Sequence, residues 1–130
     1  VYKRQIQDQG IGVFGAFILG FDNDNKGTFN RLVDFIQSSH LYAAQITILT
    51  PFPGSRIRQE YENNGRLLDR TWDYYTCNDL TFTPKTMTVE ELRKLHLWVH
   101  EQVYNIDFQV KNLEHFKNIY RKRYESNINK

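Results

Sequence analysis

Apolar and polar stretches alternate along the first 50 residues and predict four elements. A polar segment over 1–9 stops at Gly10, which is typical of a helix that a glycine terminates. A continuous apolar run over 11–21 indicates a strand buried on both faces. Apolar residues then recur at helical spacing over 28–39, and a second buried strand is indicated over 43–49. The order helix, strand, helix, strand predicts a βαβ unit with two parallel strands.

The second half of the chain opens with a turn and then becomes largely helical. Ser55 is a typical N-terminal cap, and Gly65 is a typical helix stop. Thr88 and Glu91 form a capping-box pattern, which predicts the start of a long helix. The predicted elements are a short helix from Ser55 to residue 63 or 64, an irregular aromatic-rich segment over 66–87, and helices over 88–104 and about 107–125.

Composition places the chain among folded globular domains. It has 130 residues, of which 40% are apolar and 15% aromatic, with a net charge of +2. These values exclude disordered, collagen-like and low-complexity classes. The single cysteine, Cys77, excludes an intrachain disulfide and any cluster ligated by several cysteines of this chain. Because no apolar run is long enough to span a bilayer, we expect a cytoplasmic protein that is not bound to a membrane.

Basic side chains are concentrated at the C-terminal end. Residues 111–130 carry six Lys or Arg and two Glu, whereas the preceding residues have a net negative charge. Cations near a helix C-terminus suit the helix dipole, and charge runs usually form a solvated face. We therefore expect no nucleic-acid partner.

Two patterns resemble known site motifs but lie in the wrong context. The glycines at positions 10, 12 and 15 match Gly-x-Gly-x-x-Gly. They follow a helix and lead into a strand, whereas a dinucleotide site follows a strand and opens a helix. His96 and His100 lie one helical turn apart, without the glutamate and third ligand that a zinc hydrolase uses. We predict neither a dinucleotide site nor a metal site.

Three further residues have reactive or charged side chains for which the sequence indicates no partner. Cys77 has no neighbouring base that would activate a nucleophile, so an ordinary thiol is expected. Asp22 and Asp24 follow the first predicted strand, where parallel sheets carry functional groups at their carboxyl ends. Aspartates are equally typical of turns, so a functional and a structural interpretation both stay open.

Two strand-end segments, in order and about thirty residues apart, are similar to the fifth and sixth strands of radical S-adenosylmethionine (radical SAM) enzymes. They read Phe-Ile-Leu-Gly-Phe-Asp over 17–22 and Ile-Thr-Ile-Leu-Thr-Pro-Phe-Pro-Gly-Ser over 46–55. Later segments resemble the C-terminal extension of the subgroup that carries a cobalamin-binding domain. That subgroup includes methyltransferases and the anaerobic oxidative cyclase of magnesium-protoporphyrin monomethyl ester. The later segments are 64–68, Trp72 with Tyr75, 82–85 and 87–92, so that the resemblance covers roughly 1–110.

The resemblance implies an α/β fold in two parts. Residues 1–65 would be the last βαβ portion of a partial TIM-like barrel, and residues 66–130 an aromatic-rich loop with a helical C-terminal extension. In the family's fifth-strand pattern, Gly-x-Ile-x-Gly-x-x-Glu, Ile18 and Gly20 match, whereas Ala16 and Asn23 depart. No role is therefore carried over to Asn23. The residues implied to form part of the SAM adenine wall are Ile18, Gly20, Thr50, Pro51 and Phe52.

The same resemblance implies which cofactors the full-length protein uses. They are SAM, a four-iron four-sulfur cluster and, in this subgroup, cobalamin. The family's cysteine triad would lie upstream of Val1, so this chain is interpreted as a C-terminal fragment with no cofactor and no catalysis of its own. The alternative is a stand-alone α/β module that binds a partner or ligand without catalysis.

The fragment interpretation also predicts partners. The missing N-terminal part of the same polypeptide would pair with the first strand, 11–19. Without it, that strand presents a long apolar edge with unpaired backbone groups, which is a template for pairing with another chain. We therefore expect the isolated chain to form a homodimer or higher oligomer at micromolar concentration through the exposed sheet edge.

Overall fold

The computed structural model of this chain describes residues 2–128 and has a mixed α/β fold, as predicted. A parallel two-stranded sheet is accompanied by five helices and one short 3₁₀ turn. A complete or partial barrel is not formed by these two strands. The elements are α1 (Tyr2–Asp8), β1 (Phe14–Leu19), α2 (Lys26–Ser39), β2 (Ala43–Ile48), α3 (Arg56–Asn63), a 3₁₀ turn (Trp72–Tyr74), α4 (Val89–Val103) and α5 (Ile106–Ile128).

The helix ends predicted at Gly10 and Gly65 are confirmed by the capping interactions. Gly10 ends α1 with φ of 74°, and its N–H and that of Ile11 donate to carbonyls of the last turn. Gly65 ends α3 in the same way, with φ of 62°. Both stops use the left-handed conformation that glycine adopts without strain. The α2 helix begins two residues before the predicted start, because Asn25 rather than Thr28 is its N-cap.

The prediction that both strands are buried on both faces is wrong for this chain. In β1 exposed residues alternate with partly buried ones up to the buried Leu19, and Phe14 is 60% and Ile18 52% exposed. In β2, Ile46 and Ile48 are buried while Gln45 faces solvent. Helices cover only one face of the sheet in the described residues, so the other face stays open. This open face is defined by Phe14, Ala16, Ile18, Gln45 and Thr47.

One hydrophobic core fills the space between the covered sheet face, α2 and α4. Phe29 and Ile36 of α2 are almost completely buried there, as are Leu92 and Val99 of α4. Phe82, from the segment between α3 and α4, joins the same core. The core therefore joins residues from both sides of position 65, and the predicted division into two parts remains a prediction.

The outer edge of β2 is closed by side chains of α4 rather than by a third strand. Tyr104 donates its hydroxyl to the Ala44 carbonyl, and the Ile46 carbonyl oxygen lies 3.2 Å from Nε2 of His100. The Ile48 N–H donates to the Cys77 carbonyl at 2.7 Å. Within residues 2–128, β1 has no strand partner on its other edge. The predicted pairing through that edge remains a prediction.

His96 and His100 share the Ile46 carbonyl, which makes this contact sensitive to pH. Their Nε2 atoms lie 3.1 Å apart, so one imidazole donates to the other only while at least one ring is neutral. Burial lowers the pKa of His96 below its ordinary 6.5. The Ile46 carbonyl raises this pKa in part, and the nearby His100 lowers it. Because the folded-state pKa is depressed, this contribution to stability is complete above pH 6.5 and is lost as the pH falls below it.

We expect the free energy of unfolding to decrease between pH 7.5 and pH 5, and His96→Gln to reduce that decrease. Urea titrations of both proteins at the two pH values measure the effect. Leu97→Ala, on the exposed side of the same helix, removes no titratable group and supplies the control variant. An equal pH dependence in wild type and His96→Gln would contradict the assignment to His96.

Candidate functional site

The carboxyl ends of the two strands lie side by side. The parallel register pairs Leu19 with Ile48, and the Leu49 N–H donates to the Leu19 carbonyl at 2.8 Å. Gly20 and Thr50 therefore follow at the same edge of the sheet, as the sequence predicted. Parallel sheets bind ligands at this edge because loops there are free to vary while the strands fix their origins. We call residues 18–24 and 49–55 the carboxyl edge.

Gly20 occupies a position that other residues do not fit. Its φ is 102°, and a Cβ atom built on it would lie 3.2 Å from both Leu92 Cδ2 and Phe82 Cζ. Both neighbours are completely buried, so they have little room to move. Asp24 fixes the turn, since its Oδ2 accepts from the N–H groups of Gly20 and Phe21 at 2.8 and 3.0 Å.

The five residues implied to contact adenine divide into a buried and an exposed set. Gly20, Thr50 and Pro51 are buried, and the Thr50 hydroxyl donates to the Ile48 carbonyl at 3.1 Å. Ile18 lies on the open face opposite Thr47, and Phe52 is 45% exposed. The buried residues shape the backbone, whereas Ile18 and Phe52 present apolar surface to a ligand. The roles of these five residues toward adenine stay predictions.

Asp22 forms a paired network that the sequence did not indicate. Both carboxylate oxygens accept from the guanidinium of Arg66, at 2.7 and 2.9 Å. Arg66 also donates from Nε to the Thr83 carbonyl and stacks on Tyr61, whose ring centroid is 4.1 Å from the guanidinium carbon. The hydrogen bonds from Arg66 lower the pKa of Asp22 despite its partial burial. The only feature of the sequence near Arg66 that bears on this contact is Gly65, which ends α3 and lets the chain turn back toward the sheet.

Both aspartates make structural contacts at the end of β1, and a functional role for them stays a hypothesis. Asp22 ties the end of β1 to the chain after α3, and Asp24 holds the turn that follows β1. Thr86 donates its hydroxyl to the Asp24 carbonyl, which adds a third connection to this loop. Each carboxylate thus has a structural contact at the end of β1.

An aromatic cluster centred on Arg58 adjoins the end of β2. The Arg58 guanidinium donates to the Tyr75 hydroxyl at 2.9 Å and to Glu62 at 2.8 Å, and lies against the rings of Trp72 and Tyr75. Phe52 is tilted against Tyr75, with centroids 6.3 Å apart. The segment predicted to be irregular is therefore attached to the carboxyl edge. It also contains a 3₁₀ turn and an antiparallel bridge between Leu67 and Phe82.

The remaining candidate motifs have structural surroundings. The glycine pattern at positions 10–15 connects α1 to β1, as predicted, so it does not open a helix toward a dinucleotide. Cys77 adopts φ of 67° and uses its carbonyl on the edge of β2. Among residues 2–128, no group of three or more His, Cys, Asp or Glu side chains is arranged to hold a metal ion.

Comparison with known proteins relates this chain to enzymes that transfer methyl groups. A stretch of 94 residues is 33% identical to the bacteriochlorophyllide d C-12(1)-methyltransferase of Chlorobaculum tepidum, and covers 72% of this chain and 20% of that enzyme. The chain is similar to methyltransferases. A stretch of 86 residues is also 33% identical to an uncharacterised methyltransferase of Pyrococcus horikoshii, covering 66% of this chain and 19% of that protein.

A further match, 27% identical over 79 residues, is the bacteriochlorophyllide d C-8(2)-methyltransferase of Chlorobaculum tepidum, of which the chain covers 18%. The chain thus spans about a fifth of the length of the curated relatives it matches. No family model matches the chain. In the described part of the chain, no helix combines the length and the apolar character that crossing a bilayer requires.

Proposed function

We propose that this chain is the C-terminal part of a radical SAM methyltransferase of the cobalamin-binding subgroup. The observation that carries the proposal is the placement of Gly20 and the Thr50–Phe52 segment side by side at the carboxyl edge of a parallel βαβ unit. The likeness to methyltransferases over about a fifth of their length supports it. The open face of the sheet supports it as well, because a face this apolar is normally covered.

In this proposal the chain forms one wall of the site that holds the SAM adenine. The N–H groups of Gly20 and Phe21 are already bonded to Asp24, so they do not donate to a ligand. The chain's contribution is then apolar, from the side chains of Ile18 and Phe52. Adenine sites are largely apolar with few polar contacts, which suits such a wall.

The residues present do not fit the iron–sulfur cluster that cleaves SAM in this family. Four-iron clusters need several thiolates, and Cys77 is the only cysteine. The cluster, the cobalamin and most of the acceptor site therefore belong to other parts of the polypeptide. The isolated chain has no methyl-transfer activity in this proposal.

We expect Phe52→Ala and Ile18→Asp to weaken SAM binding by about tenfold or more in the natural full-length polypeptide, since each removes apolar contact area. Isothermal titration calorimetry under anaerobic conditions measures the dissociation constant. Leu97→Ala is the matched control, because Leu97 is similarly exposed but lies on α4, outside the carboxyl edge. We also expect the isolated 130-residue chain to bind SAM weakly or not at all.

Two results would overturn the proposal. One is unchanged SAM affinity in both variants, which would place the adenine elsewhere. The other is no SAM binding by the full-length polypeptide, which would support the alternative of an α/β binding module without catalysis.

A further inference from the structure

The long helix α5 has an apolar face that is largely exposed among the described residues. Its exposed apolar side chains are not scattered but recur at alternating intervals of four and three residues along the helix. This stripe has six positions. Five are apolar or aromatic, namely Ile106 (79% exposed), Val110 (48%), Leu113 (56%), Tyr120 (44%) and Tyr124 (69%), and Lys117 lies between Leu113 and Tyr120. Single exposed apolar residues are ordinary, whereas a contiguous exposed stripe marks an interaction surface.

The side of α5 next to the stripe holds the helix against the rest of the chain. Asn112 is 95% buried and donates its side-chain amide to the Leu41 carbonyl at 2.6 Å. The buried ring of Phe116 packs edge-on against Tyr42, with centroids 5.3 Å apart. The stripe thus borders the face by which α5 joins its own domain, and Tyr120, which lies near Gly10, is where the two meet. Because α5 is formed and anchored before any partner arrives, a partner need not stabilise the helix itself.

The spacing of the stripe is that of a two-helix interface. Intervals of four and three residues place all six positions in one line along a helix, as in the a and d positions of a heptad repeat. Residues beside that line face the flank of a partner helix. On one flank Asp107 and Glu114 lie in the N-terminal half, and Arg121 lies in the C-terminal half.

We propose that the stripe of α5 binds the same stripe of a second copy of this chain, with the two helices antiparallel. This arrangement brings Asp107 of each copy beside Arg121 of the other, and it places the two Glu114 side chains beside each other with Lys117 of both copies next to them. A parallel arrangement would instead place Lys117 against Lys117 in the stripe and would leave Asp107 without Arg121. Charge complementarity therefore selects both the occupant and its direction.

The antiparallel pairing also matches the side chains of the stripe layer by layer. Ile106 of one copy meets Tyr124 of the other, and Val110 meets Tyr120. Leu113 meets Lys117, whose aliphatic stem covers apolar surface while the ammonium group reaches solvent. The interface is separate from the edge of β1, and the inference does not depend on the proposed function.

The test is the oligomeric state of the natural full-length polypeptide, measured by sedimentation velocity across micromolar concentrations. We expect wild type to form a dimer and Leu113→Lys to weaken dimerisation by about tenfold or more. Leu97→Lys is the matched control, because Leu97 is also 56% exposed but lies on α4. We expect that control to dimerise as wild type does.

Charge reversal tests the direction of the helices. Asp107→Arg and Arg121→Asp should each weaken the dimer, and the double variant should restore it, because the pair is recreated between copies. A monomeric wild type would overturn the proposal. The proposal would also be overturned if Ile18→Lys dissociated the dimer while Leu113→Lys did not, since the sheet would then be the interface. A monomeric wild type that Leu113→Lys destabilises more than Leu97→Lys does would show that the same polypeptide covers the stripe.

Discussion

Replacing Gly20 by alanine is expected to lower the free energy of unfolding by about 3 kcal/mol. Two effects add at this position. A residue with a Cβ is strained at φ of 102°, at a cost of about 1–2 kcal/mol. The new methyl group would also lie 3.2 Å from Phe82 and Leu92, and overpacking a buried site costs about 1–3 kcal/mol. Urea unfolding followed by circular dichroism measures the change.

Gly54→Ala separates the two effects, because Gly54 has φ of 78° but no atom within 4 Å of a built Cβ. We expect this control to lose about 1 kcal/mol, from backbone strain alone. Equal losses in Gly20→Ala and Gly54→Ala would show that Phe82 and Leu92 do not confine the carboxyl edge. The confinement matters for the proposed function, since it fixes the backbone next to Thr50.

Replacing Arg66 by leucine is expected to destabilise the chain by about 2 kcal/mol. The substitution removes two hydrogen bonds to Asp22 and one to the Thr83 carbonyl, and it leaves a carboxylate that is 31% exposed without its partner. Unpairing a fully buried ion pair costs about 3–5 kcal/mol, and partial exposure reduces that figure. Arg66→Lys should recover part of the loss, because it keeps the charge but not the two-pronged geometry.

The pH dependence identifies Asp22 as the partner. Its pKa is lowered from the ordinary 3.8 in the folded state, so the stability from this pair is present above about pH 4 and is lost as the pH falls through the folded-state pKa. The difference between wild type and Arg66→Leu should therefore shrink in acid. Lys94→Leu, which removes an exposed pair with Glu90 at 3.8 Å, is the control and should change little. A pH-independent effect of Arg66→Leu would assign it to packing on Tyr61 instead.

The local elements of this chain follow from its sequence. Helix starts at Ser55 and Thr88 were predicted because a cap is an interaction between residues three apart. Helix stops at Gly10 and Gly65 were predicted because the left-handed conformation favours glycine in any context. The parallel order of the two strands was predicted from the helix between them. Parallel strands end at the same edge of the sheet, so the proximity of Gly20 and Thr50 was predicted as well.

The tertiary structure decided the contacts between distant residues. Asp22 and Arg66 are 44 residues apart, and His96 lies 50 residues from the carbonyl it contacts, so no local pattern links either pair. Burial of the strands was predicted wrongly for a related reason. The sequence of a strand shows that its side chains are apolar. Which face of the sheet is buried depends on the helices that pack against the strand. Here α2 and α4 cover one face, and within the described residues Ile18 and Phe14 remain exposed on the other.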